Sequence, residues 1–274
     1  MNFEETLIDI NDLKDYKIPS SSDPFILSIN NNKVKFEFLI KNIEEASNIL
    51  IMGSGSYDPN KFNPPVFQRH AWIEDFSHTV IIYNDPTLYL GKITIGWGNG
   101  TEDRHYLKEV SEILEILLGK LNYKNENTYF YGSSAGGFMS LVLSGFLKGS
   151  TAIVNNPQTV VANFWPVPVR EMIEASYPSM ELEDVVSRFP ERMNVIEFYK
   201  SINYVPPINY LQNVAATRDV EKHLIPFISE INTLSSEIFT KNVKIELYSD
   251  EEKGHKPVSK KETIKYIENI IAGR

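Results

Sequence analysis

The chain has 274 residues, of which 42% are hydrophobic and 12% aromatic, which is enough apolar material for the core of a globular protein. A formal net charge of −9 and the lack of a basic cluster with interleaved aromatic residues argue against nucleic-acid binding. Cysteine is absent, which excludes disulfides, thiolate metal ligands and cysteine nucleophiles. We expect one domain over residues 1–274. We also expect a cytoplasmic protein without a membrane span, because no apolar run approaches about 18 residues and the N-terminus is acidic where a secretory signal would be basic.

Strand-like segments recur along the chain. Residues 25–29 and 33–40 flank three asparagines and are typical of a β-hairpin. Six further apolar runs have the length and composition of buried parallel strands: 48–52, 79–83, 128–131, 151–154, 209–214 and 244–248. Helical segments lie between them, among them 106–121, where leucine, isoleucine and valine recur at helical spacing. This alternation predicts a mostly parallel sheet with helices on both faces.

A serine lies where the strand-like run 128–131 passes into a helix-like segment, within Gly132-Ser133-Ser134-Ala135-Gly136. A strand that turns at once into a helix is crowded at the turn, and the glycines two positions before and after Ser134 relieve that crowding. The spacing fits G-x-S-x-G for Ser134 and not for Ser133. We therefore predict that Ser134 is a nucleophile; a turn whose serines cap a helix is the simpler alternative.

A hairpin, six parallel strands and a serine turn after the third of the six together resemble the α/β-hydrolase fold. The resemblance covers nearly the whole chain. It implies an eight-stranded, mostly parallel sheet with helices on both faces and a cap insertion after strand six. We assign residues 160–204 to that cap, because this proline-containing stretch breaks the alternation of strands and helices. The alternative is an insertion at the protein surface that has no function.

A serine nucleophile needs a base to accept its proton. Of the five histidines, His255 follows the last predicted strand, which is where hydrolases of this fold carry their base. His70, His78 and His105 fall between early strands, and His223 falls on the predicted helix 220–231. No spacing typical of metal ligands occurs, so we predict neither a metal nor a cofactor.

The acid that orients the histidine is expected after the seventh strand, 209–214. The turn there begins Ala215-Ala216, and its first carboxylate is Asp219. Asp219 is therefore the predicted acid, although aspartate is also common at helix N-termini. Asp250 and Glu251, near His255, remain alternatives, as does a triad without an acid.

An oxyanion hole needs two N–H groups directed at the reacting oxygen. The Ala135 N–H, at the start of the helix, is one candidate. The other is the Ser54 N–H, in the glycine-containing loop after the strand 48–52. Many hydrolases carry His-Gly at this loop, where this chain has Met52-Gly53; without a ligand, the loop could also be only a flexible turn.

Several short sequence motifs are similar to those of a bacterial group of serine hydrolase-like proteins of capsule and surface-glycan assembly, which includes the accessory-secretion acetyltransferases. They are PVFQRHAW at 65–72, NDPT at 84–87, GW at 96–97, the serine turn, NNPQT at 155–159 and LQN at 211–213. That group has an aspartate near Ala216, which this chain lacks. The resemblance implies acyl-ester chemistry on a carbohydrate or other hydroxylated substrate, by hydrolysis or transfer, as part of polysaccharide biosynthesis.

Two residues within these motifs are candidates for substrate binding. Trp97 could offer an apolar face to a sugar ring, and Arg69 could hold a charged group near the oxyanion loop. Both could instead be structural, with Trp97 in the core and Arg69 paired with Glu74 or Asp75.

The sequence predicts a serine esterase or O-acyltransferase that acts on a small-molecule or glycan ester. One alternative is a non-catalytic glycan-binding or assembly subunit that retains the hydrolase fold, because fold does not dictate function. Another is a peptidase with the same nucleophile. The oligomeric state is left open.

Overall fold

Nine strands form one sheet in the computed structural model, which describes residues 3–20, 23–234 and 241–273. The order across the sheet is β1-β2-β3-β5-β4-β6-β7-β8-β9. The strands are β1 Glu4–Asp9, β2 Phe25–Asn31, β3 Val34–Lys41, β4 Ile49–Gly53, β5 Thr79–Tyr83, β6 Thr128–Ser134, β7 Thr151–Pro157, β8 Ile208–Asn213 and β9 Val243–Tyr248.

The sheet is mostly parallel, as predicted. β3 runs antiparallel to its two neighbours, and every other neighbouring pair is parallel. The predicted count of eight strands was too low, because β1 lies in the polar N-terminal segment. β1 is an edge strand with no fully buried residue, so it lacks the apolar pattern that marks the other strands.

Helices cover both faces of the sheet, which confirms the predicted architecture. Alternate residues of β4 enter different cores: Ile49 and Ile51 pack on one face, and Leu50 and Met52 on the other. Within the described ranges, no helix is both long and apolar enough to cross a membrane. The described α-helices are α1 Tyr106–Lys120, α2 Ala135–Phe146, α3 Pro166–Ser176, α4 Leu182–Arg188, α5 Pro190–Met193, α6 Val195–Ile202, α7 Thr217–Asp219, α8 Ile225–Leu234 and α9 Lys260–Ile271, with a π-helical turn at Val220–Leu224.

The segment between β7 and β8, which holds α3 to α6, divides into two parts. α6 belongs to the core, because the ring of Phe198 lies 4.6 Å from that of Phe146 in α2 and residues Val195 to Phe198 include three that are almost fully buried. Phe164 and Trp165, just before α3, lie beside the serine turn instead. The limits 160–204 for a cap therefore stay a prediction.

The glycines of the serine turn are required by close packing. A Cβ atom on Gly132 would lie 2.0 Å from the carbonyl oxygen of Gly136. We expect Gly132→Ala to lower the free energy of unfolding by about 3 kcal/mol or more, because the neighbouring atoms are backbone and cannot move aside.

Gly119 is the matched control for this prediction. It lies in α1 with no atom within 4 Å of its Cβ position, so Gly119→Ala should raise the free energy of unfolding by about 0.5 kcal/mol. Urea unfolding of the two variants measures both values. Equal stability of the Gly132→Ala variant and the wild type would contradict the packing described here.

Candidate active site

Ser134 lies on a strained backbone between β6 and α2. Its φ of 55° and ψ of −125° are unusual for any residue other than glycine. Such strain persists only where the surroundings impose it, and it is common at functional sites. Here β6 ends at Ser134 and α2 begins at Ala135, so the turn contains no spare residue that could relax it.

The structure brings Ser134, His255 and Asp219 together. The Ser134 Oγ lies 2.9 Å from His255 Nε2, and His255 Nδ1 lies 2.6 Å from Asp219 Oδ2. Because an ionised carboxylate can only accept, the Nδ1–H donates to Asp219 and leaves Nε2 free to accept from the serine hydroxyl. The three groups therefore have the connectivity that activates a serine.

Each of the three comes from the carboxyl-terminal end of a parallel strand. Ser134 ends β6, Asp219 is the last residue of α7 after β8, and His255 follows β9. The side chain of Asp219 is 10% exposed and that of His255 is 42% exposed, so the imidazole is open to solvent while its carboxylate partner is shielded. The alternative acids lie elsewhere: Asp250 pairs with Lys253 at 2.9 Å, and among the described residues neither it nor Glu251 bonds to the imidazole.

Buried asparagines hold the loop that carries His255. The side-chain amide of Asn156, at the end of β7, donates to the carbonyl oxygens of His255 (3.1 Å) and Lys256 (3.2 Å). The side-chain amide of Asn213, at the end of β8, donates to the carbonyl oxygens of Asp250 (2.7 Å) and Gly254 (2.8 Å). These bonds explain why asparagines occur at both strand ends, since the loop backbone has no strand partner there.

Gln158 is a site residue that the sequence analysis missed. Its Nε2 donates to the Ser134 Oγ at 3.0 Å, and its Oε1 accepts a short hydrogen bond from the indole N–H of Trp97. An indole N–H can only donate, so it fixes the amide with Nε2 towards the serine. Gln158 and Trp97 are both fully buried, so this arrangement is shielded from water.

This placement does not match the expected sugar-binding role of Trp97. The indole has no exposed surface, lies edge-on to the ring of Phe164, and borders an enclosed space of only about 10 Å³. A sugar ring has no access to it. The residue positions Gln158 instead.

We expect Gln158→Met to lower kcat for ester turnover about 10- to 100-fold with little change in KM, because the serine loses the donor that fixes its rotamer. Trp97→Phe should have a smaller effect in the same direction, since the amide of Gln158 can then rotate. Steady-state kinetics measure both.

Gln212→Met is the matched control: Gln212 is equally buried, on the neighbouring strand β8, and its amide donates to the carbonyl oxygen of Asn213. Loss of activity in this variant as large as in Gln158→Met would assign the effect to core packing.

The predicted oxyanion residues lie beside the serine. Ala135 is the first residue of α2, where backbone N–H groups have no partner within the helix. A Cβ atom on Gly55 would lie 3.9 Å from the Ser134 Cβ, and one on Gly136 would lie 3.2 Å from the Ser54 carbonyl oxygen. The Ser54 hydroxyl donates to the Val66 carbonyl oxygen at 2.8 Å, which anchors this loop.

Arg69 lies next to the serine turn and does not line the pocket that contains Ser134. It is 8% exposed, and its guanidinium donates to the Gly53 carbonyl oxygen (3.1 Å) and the Ser133 hydroxyl (2.7 Å). It also lies 5.2 Å from the ring centroid of Tyr131. This position does not match the expected hold on a charged substrate group, because the guanidinium joins the end of β4 to the serine turn. Glu74 and Asp75 were the partners suggested for Arg69 in its structural role. Glu74 pairs with Lys41 instead, and Asp75 pairs with Lys260.

A pocket of about 310 Å³ opens onto the serine and histidine. Its walls include the loop after β4, the segment before α3 and the turn after β8, and the lining residues are Ser56, Ser134, Phe164, Trp165, Ala215, Ala216, Thr217, Arg218, Asp219, His223 and His255. Within the described ranges, no three His, Asp or Glu side chains converge as a metal site.

A mostly parallel sheet with helices on both faces and a strained serine between a central strand and the next helix define the α/β-hydrolase fold, and the chain has this fold. It matches no family model and no curated protein sequence. Solved structures are similar to it over most of its length. The capsule O-acetyltransferase of Neisseria meningitidis serogroup A is 18% identical with a TM-score of 0.65, over 96% of this chain and 99% of that one.

Two further structures have the same fold. The S-formylglutathione hydrolase of Agrobacterium tumefaciens is 14% identical with a TM-score of 0.58, over 94% of this chain and 96% of that one. The acylaminoacyl peptidase of Pyrococcus horikoshii is 13% identical with a TM-score of 0.59, over 91% of this chain and 42% of that one. The fold predicted from the sequence is confirmed.

Proposed function

We propose that the protein is a serine-dependent acyl-ester hydrolase or O-acyltransferase that acts on an acylated carbohydrate or another hydroxylated substrate. The observation that carries the proposal is the continuous hydrogen-bond chain from Ser134 through His255 to Asp219. These bonds lie at a pocket of about 310 Å³, within the range for a small ligand.

In the first half of the reaction, the Ser134 Oγ attacks the acyl carbonyl carbon and its proton passes to His255 Nε2. Asp219 stabilises the imidazolium that forms. The tetrahedral oxyanion accepts hydrogen bonds from the N–H groups of Ala135 and Ser54. The bond to the leaving group then breaks, and His255 returns the proton to that group as it departs.

In the second half, water or an acceptor hydroxyl attacks the acyl-enzyme. His255 takes the proton of the attacking group, the acyl–serine bond breaks, and Ser134 recovers its hydrogen. Hydrolysis and transfer differ only in this attacking group. The exposed imidazole is compatible with either, because both water and a larger alcohol have access to it.

Transfer of an acetyl group to oxygen is the chemistry named for one structural neighbour, a capsule O-acetyltransferase, and hydrolysis of S-formylglutathione, a thioester, is named for another. We take the segment before α3 as the part of the cap that meets the substrate, since Phe164 and Trp165 line the pocket.

The experiment that tests this proposal follows the acyl group. The full-length protein is mixed with 4-nitrophenyl acetate or an acetyl thioester, quenched at short times, and digested for peptide mass mapping. We expect an acetyl group on Ser134. Water then releases it as acetate, and a methyl glycoside, when present, accepts it to form an acetylated glycoside. Release of nitrophenol no faster than in Ser134→Ala would contradict the proposal, and glycan binding without acylation would indicate a non-catalytic subunit.

A further inference from the structure

Trp165 offers the largest exposed aromatic surface at the pocket that contains Ser134. Its side chain is 55% exposed, whereas the indole of Trp97 is fully buried. The exposed indole is therefore an apolar surface beside Ser134 that a ligand bound in the pocket would cover.

The indole is held in place on its protein side. The guanidinium of Arg218 lies 4.0 Å from the indole centroid, which is a stacked cation–π contact. Arg218 is fixed in turn, because one of its nitrogens donates to the carbonyl oxygens of Asn163 and Phe164, both at 3.2 Å. The ring is therefore oriented before any ligand arrives, which lowers the entropic cost of binding.

Polar groups surround this aromatic surface. Thr217 is exposed at the pocket wall, and Arg218 has further N–H donors. His223, in the π-helical turn after Asp219, also lines the pocket. Its Nδ1 accepts the Thr159 backbone N–H at 3.3 Å, so the neutral ring carries its hydrogen on Nε2. Burial lowers the pKa of His223 to about 4, which keeps it neutral at physiological pH.

We propose that Trp165 and Arg218 form the binding site for a pyranose ring, in which the C–H face of the sugar stacks on the indole and its hydroxyls bond to Thr217, Arg218 and His223. A pyranose has this combination of an apolar face and a hydroxylated rim, and neither a fatty acyl chain nor a planar aromatic group has it. The inference rests on the proposed function, because the sugar is the group that gives or receives the acyl group at Ser134. It replaces the sugar-binding role first expected of Trp97.

The test measures binding directly and needs no turnover. The full-length Ser134→Ala variant is studied by saturation-transfer NMR with methyl α-pyranosides of glucose, galactose and mannose, and with their 6-O-acetyl esters. Triethylene glycol serves as the acyclic control and methyl benzoate as the aromatic control. We expect transfer to the ring C–H protons of at least one pyranoside and none to triethylene glycol.

Adding Trp165→Ala should weaken this pyranoside binding about tenfold, and Trp165→Phe should retain part of it, because the smaller phenyl ring still offers part of the apolar face. Val167→Ala is the matched control, since Val167 is 51% exposed two residues away and does not line the pocket. Circular dichroism confirms that each variant is folded.

The absence of pyranoside binding, binding that persists in Trp165→Ala, or a preference for methyl benzoate would overturn the inference while leaving Ser134 chemistry intact. Failure of Ser134 to accept an acyl group in the wild type would overturn the proposed function, and the inference with it.

Discussion

Replacing Ser134 by alanine is expected to reduce kcat/KM for ester turnover by about 10⁴-fold or more. The variant loses the atom that we propose forms the acyl-enzyme, and the neighbouring Ser133 cannot take its place because its hydroxyl is buried and accepts from Arg69. Alanine has nearly the same backbone preferences as serine. We therefore expect the free energy of unfolding to change by no more than about 1 kcal/mol.

Ser133→Ala is the control for this first prediction. It removes a hydroxyl from the same turn, and its main effect should fall on stability, because the buried Arg69 guanidinium loses a hydrogen-bond partner at a cost of about 1–3 kcal/mol. Its kcat/KM should stay within about tenfold of the wild type. A loss of activity in Ser133→Ala that equals the loss in Ser134→Ala would mean that the turn, and not the Ser134 hydroxyl, is what activity requires.

Replacing Asp219 by asparagine is expected to lower kcat by about 10³- to 10⁴-fold. An asparagine amide in this position can donate to His255 Nδ1, which favours the tautomer with its hydrogen on Nε2. That tautomer cannot accept the proton of Ser134. The size of the variant side chain is unchanged, so the effect isolates the charge and the hydrogen-bond direction.

Asp250→Asn is the matched control for Asp219, because Asp250 was one of the two alternative acids, with Glu251, that the sequence offered. Its carboxylate pairs with Lys253 at the surface, where solvent screening leaves such a pair little effect on stability. We expect its kcat to be near that of the wild type. Stopped-flow kinetics measure the acylation rate in both variants. Slower acylation in Asp250→Asn than in Asp219→Asn would contradict the assignment.

The sequence predicts the parts of this site that local backbone geometry determines. Ser134 needs glycines at fixed spacing in a turn of no spare length, so the motif can be recognised without the rest of the fold. The strand alternation is equally local, which is why the mostly parallel sheet could be predicted while the edge strand β1, stabilised by backbone pairing to β2, could not.

The contacts across the site depend on how distant segments meet, which periodicity does not encode. Asp219 could be read as a helix N-cap, and its contact with His255 spans 36 positions of the chain. The contacts of Gln158 can be predicted only when the end of β7, the buried indole of Trp97 and Ser134 are known to meet. Trp97 and Trp165 look alike as single residues, and only burial separates the one that supports Gln158 from the one that faces the pocket.

The most direct test of the central claim, that Ser134 is a nucleophile activated by His255, is covalent labelling with a fluorophosphonate followed by intact-mass measurement and peptide mapping. In this reaction the serine oxygen displaces fluoride from phosphorus, so no natural substrate has to be known. We predict one adduct per chain, on Ser134, formed rapidly in the wild type and absent in Ser134→Ala and His255→Ala. An unlabelled wild-type protein, or an adduct on another residue that forms equally well without His255, would contradict the account.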